Sequence, residues 1–243
     1  MSRIYEAMQR GALAEASHRS HIALAADGAQ SVDAVAQGYQ RVLQAIQGLQ
    51  GLHGSKRGGV ILVVSAVAGE GASTVARELA LLLGRDGLAR PVLVDANLRA
   101  PTQHRAFGVE RARGLSEVAL QGLALDQALR NGASSPIPLL TCGRPAGNPA
   151  GLLGTPAVAS MIESLRSRFD WVVVDASPIT VYSDAAILAP LADGVVLVVE
   201  AERTRWEVVS QAKRTLEESG GRILGAVLNR QRYHIPPALY GRL

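Results

Sequence analysis

Cysteine occurs once in the 243 residues, at Cys142. A lone thiol excludes a disulfide scaffold and any cysteine-rich zinc site, and it fits a reducing compartment. Aromatic residues make up only 4% and do not interleave with bases as in single-strand binders, so no nucleic-acid partner is expected. Lysine is almost missing, with Lys56 and Lys213 alone among a majority of arginines. No apolar run approaches the roughly 18 residues that cross a bilayer. The opening residues 1–16 also lack the apolar stretch of a signal peptide. The expectation is a soluble, cytoplasmic chain. Acids are absent after Glu218, where Arg222, Arg230, Arg232 and Arg242 follow and account for the formal charge of +4. Such a tail suits an anionic surface, at about 1 kcal/mol per base near acidic lipid, or is simply solvated.

What is present is a 48% hydrophobic chain with 19% charged residues and 25 glycines. That composition excludes a disordered or collagen-like protein and suits an α/β one. Residues 1–57 are rich in Ala, Gln and Gly, with weakly helical stretches at 2–16 and 32–49 and a Gly-rich linker at 51–59. They read as an N-terminal helical appendage, leaving 58–243 as the main domain. From Val60, short apolar strands alternate with helical patterns. Strands are predicted at 60–65, 91–95, 139–142, 171–175, 194–200 and 223–229, and helices at 74–84, 155–168, 183–191 and 204–218. Strands that are apolar throughout imply a doubly wound, mainly parallel sheet with helices on both faces. Ligands of such sheets bind beyond the carboxyl ends of the strands.

The first of these strands runs through Ser65-Ala-Val-Ala-Gly-Glu-Gly-Ala-Ser-Thr74 into a helix. A strand, a Gly loop and a helix N-terminus together offer backbone N–H groups to a phosphate. The pattern G-x-x-x-x-G-K-[ST] is met in part: Ala66 stands for the first Gly and Ala72 for the Lys, while Ser73 keeps the Mg²⁺-ligating hydroxyl. A plain tight turn explains the loop alone equally simply. A dinucleotide fingerprint over Gly69-x-Gly71-x-x-Thr74 fails at Thr74 and leaves Asp175 without a role. Asp95 and Asp175 each end an apolar strand, Val92-Leu-Val-Asp95 and Val172-Val-Val-Asp175. Either alone reads as a cap or turn residue. Both at one sheet edge, with a hydroxyl and a phosphate loop, make a Mg-nucleotide site.

From Val60 to Asn229 the chain resembles the cytoplasmic domain of the bacterial tyrosine kinases (BY-kinases), which partner the polysaccharide co-polymerases of capsule and exopolysaccharide export. The Walker A loop at 65–74 and a second, family-specific motif, Val92-Leu-Val-Asp-Ala-Asn-Leu-Arg-Ala-Pro101, carry the resemblance. So do Gly143-Arg-Pro-Ala-Gly-Asn-Pro-Ala-Gly-Leu-Leu153, the Walker B strand at 169–178, the segment 183–194 and Gly225-Ala-Val-Leu-Asn229. The opening Met1-Ser-Arg-Ile-Tyr-Glu-Ala7 is similar to separately encoded members. The resemblance implies a P-loop NTPase related to the Min/Par partition ATPases. It implies ATP or ADP with Mg²⁺ at Ala68, Gly69, Glu70, Gly71, Ala72, Ser73, Thr74 and Asn229. Ser73, Asp95 and Asp175 would hold the metal, with Asp95 and Asp175 as catalytic carboxylates.

Departures from the family pattern shape the functional expectation. A Lys at position 72 reaches the β- and γ-phosphates in the family, and a second acid stands where this chain has Asn97. The family's terminal tyrosine cluster is reduced to Tyr233 and Tyr240, either phosphoacceptors or aromatic anchors. The charged ring-contact helix is matched by Gln37, Gln40 and Leu43, which puts ring assembly in doubt without excluding another homo-oligomer. No metal spacing links His18, His21, His53, His104 or His234, and Cys142 reads as buried and inert. The expectation is a kinase-impaired regulator docked on a membrane polysaccharide co-polymerase of the chain-length-determinant type, peripheral at the inner face of the membrane. An active autokinase or ATPase of that pathway, or a partition-type ATPase switch, are the alternatives.

Overall fold

The computed structural model describes residues 59–85, 89–132 and 137–230, with Val42, Gln44 and the backbone of Ile22–Ala23. Among the described residues, eight strands form one sheet: β1 (Ile22–Ala23), β2 (Gly59–Ser65), β3 (Pro91–Asp95), β4 (Leu129–Asn131), β5 (Pro138–Leu140), β6 (Trp171–Asp175), β7 (Gly194–Glu200) and β8 (Ile223–Asn229). Their order is β1-β8-β7-β2-β6-β3-β5-β4, parallel except for the antiparallel β4–β5 edge. The helices are α1 (Ala72–Gly84), α2 (Gln103–Ala106), α3 (Leu115–Gln121), α4 (Leu125–Ala128), α5 (Pro149–Leu153), α6 (Pro156–Arg168), α7 (Asp184–Leu188) and α8 (Trp206–Glu218). None of the helices among the described residues is long and apolar enough to cross a membrane.

Alternation within the strands divides the core in two. Val60, Leu62, Val64, Val172 and Val174 face α6 and α8, which contribute Val158, Met161, Leu165, Val209, Ala212 and Leu216. Ile61, Val63, Leu93, Val173 and Val196 face the other way, onto Val75, Ala76, Leu79 and Leu83 of α1 and onto Val42. Strands buried on both faces must be apolar along their length, which is why the central runs are rich in valine, with Ile61, Leu62, Leu93 and Leu197 among them. At roughly 1.5–3 kcal/mol for each fully buried aliphatic side chain, these two layers dominate the folding free energy.

The strand order also positions the site. From β2 the chain crosses over β6 to reach β3, whereas from β6 it crosses β2 to reach β7. The connections leave these adjacent strands in opposite directions, so a crevice opens beyond the ends of β2 and β6.

Several predicted elements shift by one or two residues at their ends, and two of the differences have a visible cause. The strand expected to run to Cys142 stops at Leu140, because the Thr141 and Cys142 carbonyls accept from the first amides of α3, Leu115 N at 2.8 Å and Ser116 N at 3.1 Å. The helix expected over 183–191 is α7 followed by a 3₁₀ turn at Ala189–Leu191. Pro190 lacks the N–H that would continue an α-helix there.

Candidate functional site

The loop after β2 is held by one internal bond and by partners from outside it. Gly69 and Gly71 lie at φ +89 and +91, a region that L side chains avoid. The Ala66 carbonyl accepts from Thr180 Oγ1 at 2.6 Å and from Thr180 N at 3.2 Å. Glu70 turns inward, almost wholly buried. Its carboxylate accepts from Val67 N at 2.8 Å, from Glu200 N at 3.1 Å and from the Thr204 hydroxyl. Asn229, at the end of β8, donates to the Glu70 carbonyl at 2.8 Å. Among the described residues, the backbone N–H groups of Ala68, Gly69, Gly71, Ala72, Ser73 and Thr74 donate to no protein acceptor, while Glu70 closes a turn over Ala68 and Gly69. The turn therefore stays open as an N–H-lined concavity at a helix N-terminus, the geometry that receives a phosphate.

Position 72 faces elsewhere. Ala72 is 7% exposed and packs in the apolar layer with Val63 and Val75. Ser73 is half-buried and Thr74 exposed at the mouth.

Asp95 and Asp175 are register partners on β3 and β6, both fully buried. Gln103, equally buried, ties them together: its backbone N donates to Asp95 Oδ2 at 3.1 Å and its Nε2 to Asp175 Oδ2 at 2.7 Å and to the Ser73 carbonyl at 2.8 Å. Burial pushes Asp95 up to about 8, with the neighbouring Asp175 adding to it. Burial likewise raises Asp175, against the opposing pull of hydrogen bonds from Gln103 and Ser73 and of the Arg77 charge. Asp95 Oδ1 and Asp175 Oδ1 have no hydrogen-bond partner. Two buried carboxylate oxygens without donors, beside a serine hydroxyl, fit a hard divalent cation such as Mg²⁺.

Asn97 is committed to the scaffold. Its Oδ1 accepts from Ala100 N at 3.1 Å and Ser177 Oγ at 3.0 Å. Arg99 grips the buried Asp184 through two bonds of 3.0 Å and lies over the Tyr182 ring, 4.2 Å from its centroid. These contacts brace the β3–α2 turn against the segment after β6. Cys142 is buried and its thiol is pushed up to about 12, chiefly by desolvation.

The structure thus gathers Ala68, Gly69, Glu70, Gly71, Ser73, Thr74, Asp95, Asp175 and Asn229 at one sheet edge, with the Ala72 amide among them and its methyl packed in the apolar layer. Sequence reasoning missed Gln103 and the anchoring role of Glu70, since nothing local marks either. Tyr233, Tyr240, Lys56, Gln37, Gln40, Leu43, His18, His21, His53 and His234 lie outside the described residues.

No protein-family model matches the chain. Individual relatives do. Over 169 residues it is 36% identical to the tyrosine-protein kinase YwqD of Bacillus subtilis, covering 70% of this chain and 71% of that one. The chain belongs to the bacterial tyrosine kinase family. Another relative is the succinoglycan biosynthesis transport protein ExoP of Rhizobium meliloti, 33% identical over 176 residues, which are 70% of this chain but 22% of ExoP. Among solved structures, the chimerical protein CapA2B2 matches with a TM-score of 0.79 at 23% identity, over 92% of this chain and 99% of that one. The cell-division ATPase MinD of Pyrococcus furiosus matches with a TM-score of 0.61 at 24% identity, over 76% and 78%. These two likenesses show that this BY-kinase-family chain shares its doubly wound α/β fold with CapA2B2 and with the ATPase MinD.

Proposed function

We propose that this BY-kinase-family protein binds a Mg-nucleotide without efficient phosphoryl transfer and regulates exopolysaccharide or capsule export. Residues 58–243 form the nucleotide-responsive domain. Residues 1–57 are an appendage through which, or beside which, a separate membrane co-polymerase of the chain-length-determinant type is met at the inner face of the membrane.

One observation carries the reading: the open N–H loop is retained while residue 72, the family's phosphate-binding lysine, is an alanine packed in the core. Losing one charged hydrogen bond to phosphate costs roughly 1.5–3 kcal/mol of binding, which the N–H cradle can survive. Losing a preorganised donor of the transition state costs about 10²–10³ in rate. Asn97 adds to that loss, because an amide whose oxygen already serves Ala100 and Ser177 takes up no proton. Of the two lysines, Lys213 sits on α8 beside Glu217 at 3.8 Å, so it offers no replacement. A cation held by Ser73, Asp95 and Asp175 would supply charge neutralisation for the β- and γ-phosphates. The chain's own contribution is to hold those oxygens and the amide loop in place.

The intact pair Asp95–Asp175 favours a second reading, an active autokinase or ATPase of the same pathway. Calorimetric titration with Mg-ADP and Mg-ATP, followed by phosphotyrosine detection after incubation with Mg-ATP, separates the two. Binding without phosphorylation is expected. Phosphotyrosine at Tyr233 or Tyr240 that disappears in Asp175→Ala would establish the kinase instead, and no nucleotide binding at all would leave a purely structural regulator.

A further inference from the structure

Gln103 hydrogen-bonds three residues of the candidate site, Ser73, Asp95 and Asp175, yet no motif contains it. Its backbone N–H holds Asp95 Oδ2, and its side-chain NH₂ holds both Asp175 Oδ2 and the Ser73 carbonyl in the first turn of α1. Three buried oxygens on these linked side chains are left without a donor: Asp95 Oδ1, Asp175 Oδ1 and Gln103 Oε1 itself. Such a set of acceptors is costly unless a cation or proton satisfies it.

We propose that Gln103 is a positioning residue of the cation site, pinning Oδ2 of both carboxylates so that their Oδ1 atoms form the cation-facing pair. The proposal rests on the Mg-nucleotide reading above. The side-chain torsion of an aspartate that turns its carboxylate is broad and two-fold, so an unpinned Asp175 would present its two oxygens interchangeably. A donor from Gln103 removes that freedom for Asp175, and its main-chain amide does so for Asp95. The choice of an amide matters. Lys or Arg at 103 would pin equally well but would cancel the negative charge that attracts the metal, whereas Gln donates without neutralising. The same residue also reaches α1 through the Ser73 carbonyl, which fixes the Ser73 hydroxyl relative to the carboxylates.

A residue acting only as scaffold would affect stability alone, so the test separates metal from nucleotide. Mn²⁺ binding to the ADP-loaded protein is followed by electron paramagnetic resonance, and ADP binding in EDTA by calorimetry, for wild type, Gln103→Met and Gln103→Asn. Met keeps the length and removes the donor; Asn keeps the donor one methylene short. Loss of a partner that orients a metal ligand costs about 10–100-fold in affinity. Gln103→Met is expected to lose at least about tenfold in Mn²⁺ affinity, and Gln103→Asn less, with ADP affinity in EDTA unchanged within about twofold. Mn²⁺ affinity within about twofold of wild type in a folded Gln103→Met protein overturns the proposal, as does loss of fold in both variants. A wild type that binds ADP but no Mn²⁺ overturns this inference alone. A wild type that binds neither overturns the nucleotide reading as well.

Discussion

Asn229 donates its side-chain amide to the Glu70 carbonyl at 2.8 Å and occupies the space that a Cβ on Gly71 would take. The last strand of the sheet thereby clamps the phosphate loop, and residue 71 must be glycine for two independent reasons. An alanine there meets the Asn229 amide, and it must also adopt φ +91. A side chain in that backbone region costs about 1–3 kcal/mol. Gly71→Ala is expected to lower the melting temperature and to weaken ADP binding by displacing Asn229. Asn229→Ala removes the clamp without strain, and is expected to cost less stability than Gly71→Ala. Melting curves of the two variants check the order, and a Gly71→Ala protein as stable as wild type would contradict the clamp.

Glu70 ties the same loop to the end of β7 and the β7–α8 connection through Glu200 N and the Thr204 hydroxyl, and accepts a third bond from Val67 N within the loop. A buried carboxylate accepts all three, whereas the amide of Gln offers one oxygen and turns its NH₂ toward a donor. Glu70→Gln is therefore no conservative change. It is expected to destabilise by about 1–3 kcal/mol, as Glu70→Ala does, because each leaves a buried donor unsatisfied. Urea unfolding measures this. Stability of Glu70→Gln equal to wild type would mean that the three bonds are not made in solution.

Much of this arrangement was legible because the residues that build it are continuous in the chain. The strands at 91–95, 171–175, 194–200 and 223–229 lie where the apolar runs place them, since a parallel strand covered on both faces admits no polar break. Both aspartates stand at the ends of such runs, and in the folded chain Asp95 and Asp175 are register partners. The short helices α2 to α5 were not legible, because four to seven residues carry too little periodicity to register. Gln103 was hidden for a different reason. Its partners Ser73 and Asp175 are 30 and 72 positions away, and no local pattern encodes such a meeting. Ala72 reads as a missing lysine in the sequence, whereas its burial beside Val63 appears only in the folded chain.

Burial of the carboxylate pair makes stability depend on pH. Both Asp95 and Asp175 are raised, chiefly by desolvation, so the folded chain retains protons that the unfolded chain releases above about pH 4. Stability then falls as pH rises, beginning at the ordinary carboxylate range and ending near pH 8, where Asp95 titrates in the fold. Asp95→Asn removes one charge, and its new amide is available to donate to Asp175. In EDTA the variant is expected to melt higher than wild type at pH 8, by about 2–4 °C for each kcal/mol recovered, and to vary less between pH 5 and 8. Mg²⁺ should restore wild type at pH 8 and do little for the variant. Identical melting profiles for the two proteins would mean that the pair is not the charged, dry site described.

Restoring the lysine tests the division between binding and transfer. Ala72→Lys must lift its side chain out of the layer formed with Val63 and Val75, so the unliganded variant is expected to be no more stable than wild type. Once extended over the loop, the ammonium gains a charged hydrogen bond to phosphate. At roughly 1.5–3 kcal/mol, that bond tightens nucleotide binding by about 10–150-fold. Transfer should not return with it, because position 97 is still an amide whose oxygen is engaged by Ala100 and Ser177. Ala72→Lys combined with Asn97→Asp is the variant expected to recover phosphorylation. Calorimetry giving equal ADP affinity for wild type and Ala72→Lys would show that residue 72 does not reach the phosphates. Phosphotyrosine in the single variant would relieve Asn97 of its share in the proposed impairment.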